Sequence, residues 1–188
     1  MPYSDAELVQ QALGGSQSAY HDLVARYAAP AVNLAARILA DRTLAEDLAQ
    51  EAFIRAFQRL STYDAQRKFS SWFFQIVHNV TVDHLRRRRV ETVSINQIDP
   101  TGAFERLGAA AGPRPDEQAT QAAMNHALDQ ALAGIRPEYR EAIVLRYQEG
   151  LSDAEIAAIM DLPMGTVKTY LYRARKELAS ILRERGWD

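Results

Sequence analysis

The sequence predicts an all-α protein: two small helical domains joined by a flexible linker, the C-terminal one a helix-turn-helix. Three observations predict it. Glycine and proline are sparse, 9 and 7 in 188 residues, and no stretch alternates apolar and polar residues with the period of two that a half-buried strand needs. Apolar residues recur instead at three- and four-residue steps, as a buried helical face requires. That periodicity lapses between Glu91 and Glu117, where ETVSINQIDPTGAFERLGAAAGPRPDE holds three prolines, three glycines and no stripe. The expected domains are therefore residues 1–90, a linker over 91–117, and residues 118–188.

The first helix is expected from Ser4, an N-cap with Glu7 three residues on, to Leu13, with Gly14-Gly15 as its stop. A second begins near Ser16 and carries Tyr20, Leu23, Val24, Tyr27, Val32 and Leu34; Pro30 predicts a kink or a break in it. A third follows Asp41-Arg42-Thr43, with Leu44, Leu48, Ala52, Ala56, Phe57 and Leu60 on one stripe. The fourth starts at Ser70 or Ser71 and continues to about Arg88. Past the linker, a helix is expected from about Gln118 to Ala133, and Pro137 opens another in its first turn, up to Gly150.

The last part of the chain, LSDAEIAAIMDLPMGTVKTYLYRARKEL (residues 151–178), is the strongest local signal. Ser152 and Glu155 form an S-x-x-E capping box that starts a two-turn helix presenting Ile156, Ile159 and Met160 to a core. Ala157 is small where a second helix crosses closely, and Asp161-Leu162-Pro163 supplies the turn. The helix that follows from Met164-Gly165 keeps Val167, Leu171, Ala174 and Leu178 on one face and Lys168, Thr169, Tyr172, Arg173, Arg175 and Lys176 on the other. One face locks and the other reads: that is what a helix-turn-helix needs to enter a major groove.

Composition narrows the function classes. An apolar share of 47% and a charged share of 24% are those of ordinary globular protein. No run approaches the roughly 18 apolar residues of a membrane span, and MPYSDAELVQQALGG lacks the basic and apolar regions of a signal peptide. The absence of cysteine removes disulfides and thiolate metal sites and fits the cytoplasm. His21, His78, His84 and His126 show no HExxH spacing, no glycine-rich phosphate loop is present, and no Ser-His-Asp arrangement is suggested. The expectation is a non-enzyme with no cofactor and no metal.

The formal net charge of −2 conceals a split. Residues 64–90 carry six Lys or Arg against two acids, residues 91–135 two against six, and residues 164–185 six against two. Two basic patches with an acidic stretch between them suggest two separate polyanion contacts and argue against a purely structural adaptor.

Two features of the N-terminal half add to this. The third helix sets Asp47, Gln50, Glu51 and Ile54 on the side opposite its apolar stripe, and an isoleucine among carboxylates hints at a partner with a basic docking surface. The fourth, FSSWFFQIVHNVTVDHLRRRRV (residues 69–90), puts Phe69, Trp72, Phe73 and Phe74 before His78, Asn79, Asp83 and the arginines. Most aromatics at that spacing belong in a core; aromatics beside a basic helix are also how proteins stack single-stranded bases while gripping the backbone.

DLAQEAFIRAF, FSSWFFQIVHNVTVDHLRRRR and LSDAEIAAIMDLPMGTVKTYLYRARKEL together resemble the extracytoplasmic-function (ECF) sigma factors, two-domain promoter-recognition subunits of bacterial RNA polymerase. The resemblance covers about residues 4–90 and 118–183. It implies that Asp47, Gln50, Glu51, Ile54 and Arg55 dock the clamp helices of the polymerase largest subunit. It implies that Phe69, Ser70, Ser71, Trp72, Asn79, Asp83, Arg86 and Arg87 hold the melted −10 element. Lys168, Thr169, Tyr170, Tyr172, Arg173, Arg175 and Lys176 would read the duplex −35 element. Members are commonly held inactive by an anti-sigma factor, which these residues do not identify. The rival reading, a one-domain regulator with the same helix-turn-helix, would need a sensory or dimerisation domain upstream.

Overall fold

The computed structural model describes residues 3–93 and 117–186, and every regular element among them is helical. Helices α1 (Asp5–Leu13), α2 (Gln17–Leu39), α3 (Arg42–Gln58) and α4 (Phe69–Val93) make the N-terminal half. Helices α5 (Glu117–Gly134), α6 (Pro137–Ile143), α7 (Asp153–Met160) and α8 (Met164–Glu184) make the C-terminal half. A 3-10 turn over Leu60–Thr62 follows α3, and a π-helical turn over Val144–Gln148 extends α6.

Local chemistry sets the helix starts. Ser4 and Ser152 accept from the N–H of Glu7 and Glu155, and each glutamate returns a bond to its serine N–H, satisfying orphan donors in both directions. Asp41 accepts from the Leu44 N–H to cap α3. Tyr27 donates to Asp5, which also pairs with Arg26, so α1 is pinned to α2.

Of the kink or break expected at Pro30, the break does not occur: α2 is a single helix through it. Proline forfeits one bond to the carbonyl four residues back. Arg26, which owns that carbonyl, is exposed, and Leu23, Tyr27, Ala31 and Leu34 keep one continuous buried face across the site. Helix α4 runs to Val93 and α5 starts at Glu117; the rest of the expected linker, residues 94–116, lies outside the described residues.

The N-terminal core is aromatic. Phe73 is fully buried and lies 4.6 Å from Phe53, 5.7 Å from Tyr27 and 5.9 Å from Phe69, ring centre to ring centre. Alanines at 45, 49, 52 and 56 give α3 a smooth buried face that lets α2 and α4 approach closely. In the C-terminal half, Val167, Leu171, Ala174 and Leu178 of α8 close over Ile156, Ile159 and Met160 of α7. Asp161 takes the left-handed conformation (φ 52°) that ends α7 and turns the chain toward α8, a geometry aspartate tolerates better than most residues.

The halves are packed together: buried residues of both form one continuous apolar cluster. Polar contacts frame it. Arg140, buried, donates to the Arg37 carbonyl at the end of α2 (2.9 Å) and to the Ala133 and Ile135 carbonyls. Burial, with Arg37 nearby, lowers its guanidinium to about 10, so it stays charged at neutral pH.

Glu155 supplies a pH test of this packing. Partial burial opposes its ionisation, but the Ser152 N–H and hydroxyl, the Ser71 hydroxyl and the Lys68 ammonium outweigh that and hold it at about 2. A carboxyl depressed in the folded state adds stability above its unfolded value near 4.5, and that stability fades as pH falls toward 2. Chemical denaturation of Glu155→Gln is therefore expected to show a deficit against wild type at neutral pH that closes between about 4.5 and 2. A deficit constant across that range counts against it.

Candidate nucleic-acid interface

Helix α8 presents the clearest nucleic-acid surface. Its hydrophobic phase is fixed by Val167, Leu171, Ala174 and Leu178, which are buried. Lys168, Thr169, Tyr172, Arg173, Arg175 and Lys176 consequently stand exposed, Tyr172 at 62%. A large aromatic left in water among four cations suits contact with base edges and phosphates. Thr169 donates back to the Gly165 carbonyl, and the Arg173 guanidinium donates to the Tyr139 hydroxyl at 3.2 Å, which helps hold it charged.

Tyr170 departs from the expectation. It is partly buried and lies 5.1 Å from the Tyr139 ring. Position 170 is three after Val167 and four before Ala174, so helical phase turns it toward the core. The structure adds residues that the sequence pattern did not single out. Arg146 and Tyr147, from the π-helical turn, border a cleft of about 320 Å3 with Lys168 and Arg175. Arg146 is oriented by the Leu151 carbonyl (2.9 Å) and by Asp153 (3.8 Å). The signal for them was only a basic-aromatic pair just before the helix-turn-helix.

Helix α4 carries the second surface. Phe69, expected to meet a base, is 1% exposed and stacks on Phe73. As the first residue of the helix, it points with Phe73 into the core. Trp72 is only partly buried, leaning on Tyr63 (5.5 Å) and Phe69 (5.6 Å), so part of its ring remains available for stacking. Ser70 and Ser71 are half-buried, Asn79 is exposed, Asp83 is half-buried, and Arg86 and Arg87 are exposed one turn and more beyond. Trp72 and Ser71 border a cleft of about 520 Å3 facing α7, which also holds Arg67, Lys68, Gln75 and Glu155.

The acidic face of α3 is separate from both. Asp47, Gln50 and Ile54 are exposed, Ile54 at 58%. Glu51 and Arg55 are half-exposed and paired with each other one turn apart. Among the described residues Asp47 makes no ion pair, and its exposed carboxylate suits a cationic partner. Among the described residues, no three His, Cys, Asp or Glu side chains are grouped to hold a metal, and no helix is long and apolar enough to cross a membrane.

Comparison with known proteins follows the same division. Residues 23–91 match the family model for Sigma-70 region 2, and residues 125–178 match that for Sigma-70, region 4. The chain is 33% identical to the ECF RNA polymerase sigma factor SigW of Bacillus subtilis, over 94% of this chain and 95% of that one. It is 31% identical to the ECF RNA polymerase sigma-E factor of Escherichia coli K12, over 93% and 92%. Among solved structures, CnrH in complex with the cytosolic domain of CnrY superposes with a TM-score of 0.63 at 26% identity, covering 97% of this chain and 99% of that one. The sigma factor RpoE of Bartonella quintana, solved with the anti-sigma factor NepR, shares the fold with a TM-score of 0.68 at 22% identity, over 87% and 96%.

Proposed function

The chain belongs to the ECF family of RNA polymerase sigma factors, and from that membership we propose how its surfaces divide the work of promoter recognition. As a sigma factor it directs core RNA polymerase to promoters and to initiation. Residues 1–90 dock the polymerase and hold the −10 element, residues 118–188 read the −35 element, and 91–117 connect them. The observation that carries this reading is one chain pairing an exposed acidic, isoleucine-bearing face on α3 with an exposed basic face on α8.

On α3, Asp47, Gln50, Glu51, Ile54 and Arg55 meet the clamp helices of the largest subunit. Charge complementarity sets the approach and Ile54 supplies an apolar anchor. On α4, Trp72 stacks an unpaired base while Asn79 hydrogen-bonds a base edge, which offsets the few kcal/mol of unstacking. Ser70, Ser71, Asp83, Arg86 and Arg87 line the strand's path, the arginines on phosphates. On α8, Lys168, Thr169, Tyr172 and Arg173 face base edges, and Arg175 and Lys176 face phosphates. Melting here uses binding energy alone, so the protein needs neither cofactor nor catalytic residue, and it works in the cytoplasm beside the polymerase. CnrH, solved with the cytosolic domain of CnrY, supports a protein partner for this chain too, and an anti-sigma factor is the partner proposed.

The experiment is a mobility shift and run-off transcription from mapped start sites, with and without core enzyme. Full promoter engagement and initiation are expected only with core. Equal promoter affinity and no initiation in its presence would point to a free-standing regulator instead. Within the same assay, Arg173→Ala is expected to weaken −35 recognition by roughly 1–3 kcal/mol and relax sequence preference at one position. Lys176→Ala should weaken all sequences alike. An unchanged preference in the Arg173 variant refutes its base-reading role.

A further inference from the structure

Lys68, just before α4, and three residues within α4 fall at steps of three, four and three, and all four meet the C-terminal half. Lys68 pairs with Glu155 (3.4 Å), and the Ser71 hydroxyl donates to the same carboxylate (2.8 Å). The Gln75 amide donates to the Ala158 carbonyl (3.1 Å), and His78 meets the buried Glu141 at 2.5 Å. A second seam, Arg37 with Asp129 and Arg140 with the Arg37 carbonyl, joins α2 to α5 and α6. Helix α7 thus covers the part of α4 that carries Ser71 and Trp72. The α3 face and the outer face of α8 are left in solvent.

This packed form does not fit a promoter. Elements at −10 and −35 lie more than two turns of duplex apart, roughly 70–85 Å, while here the two halves are within hydrogen-bond distance. Glu155 is, moreover, the kind of group a nucleic-acid phosphate would replace: an anion on a lysine and a serine hydroxyl, beside Arg67 and a tryptophan. We infer that α7 is an internal competitor for the −10 strand. With the domains closed, the Glu155 carboxylate occupies the place against Lys68 and Ser71 that a promoter phosphate takes once they part. The closed chain offers its polymerase face while Glu155 holds Lys68 and Ser71, so docking on core precedes full capture of the strand along α4. This rests on the sigma-factor reading of the surfaces.

The lack of cysteine makes the test clean. The full chain carrying Gln75→Cys and Ala158→Cys is treated with a short, cleavable bismaleimide that holds α4 to α7; neither position belongs to a docking or base-contacting set. Efficient intramolecular cross-linking of the free chain is expected, the linked protein still binding core but failing to open a promoter until the linker is cleaved. Independently, Glu155→Gln keeps an S-x-x-Q cap and removes the competing charge. Free Glu155→Gln is expected to bind a mixed-sequence single-stranded DNA oligonucleotide about tenfold tighter than wild type, the scale of one charge-assisted contact, with unchanged affinity for core. No cross-link in the free chain, promoter opening by the linked chain, or equal oligonucleotide affinity overturns the proposal. Failure of the untreated wild-type chain to bind core overturns the sigma reading, and the proposal with it.

Discussion

A chain carrying Asp47→Arg together with Glu51→Arg is expected to lose core polymerase while keeping its fold. Asp47 is exposed and Glu51 half-exposed on α3, so neither substitution disturbs buried packing. The helix loses the Glu51–Arg55 pair and gains a like-charge contact one turn apart, which costs only a few tenths of a kcal/mol. At the interface the change is far larger. Two attractive contacts become repulsive, and a close charge pair is worth about 2–5 kcal/mol, so co-elution with core should disappear. Circular dichroism and thermal melting should stay near wild type. Retained co-elution, or a collapse of the melting curve, would each remove the docking role from this face.

Two aromatic residues one position apart on α4 are expected to respond in opposite ways. Phe73 is fully buried among Phe53, Tyr27, Phe69 and Phe74. Cutting it to alanine leaves a cavity and should cost about 3–5 kcal/mol in urea denaturation, enough to unfold a chain of ordinary marginal stability. Trp72 is partly exposed, leaning on Tyr63 and Phe69 and bordering the cleft that faces α7. Trp72→Ala should cost less than half as much in stability and yet weaken promoter opening by roughly 1–3 kcal/mol, the worth of one stacked base. Permanganate reactivity of the melted strand measures the second quantity. The opposite ranking would mean that the wrong ring has been given to DNA.

The elements were legible in the sequence because their causes are local. The capping boxes at Ser4 and Ser152, the phase of Val167, Leu171, Ala174 and Leu178, and the isoleucine among carboxylates on α3 all lie within a turn or two of each other. Local rules gave way where a tertiary one met them. Pro30 forfeits one hydrogen bond, and the buried face of Leu23, Tyr27, Ala31 and Leu34 keeps the helix whole. Phe69 and Tyr170 sit in segments rich in functional residue types, but helix start and helix phase turned them into the core.

By itself, then, the sequence determined the helices, their order, the helix-turn-helix and the chemistry on each exposed face, since three- and four-residue periodicity and capping are written in neighbouring positions. Only the tertiary structure decided which aromatics remain available, and that α7 lies across α4. Glu155 reaches Ser71 over 84 positions, and Arg140 reaches Arg37 over 103. No periodic pattern links residues so far apart. Glu155 reads in sequence as a helix cap alone, and becomes a competitor for DNA only because folding sets Lys68 and Ser71 against it.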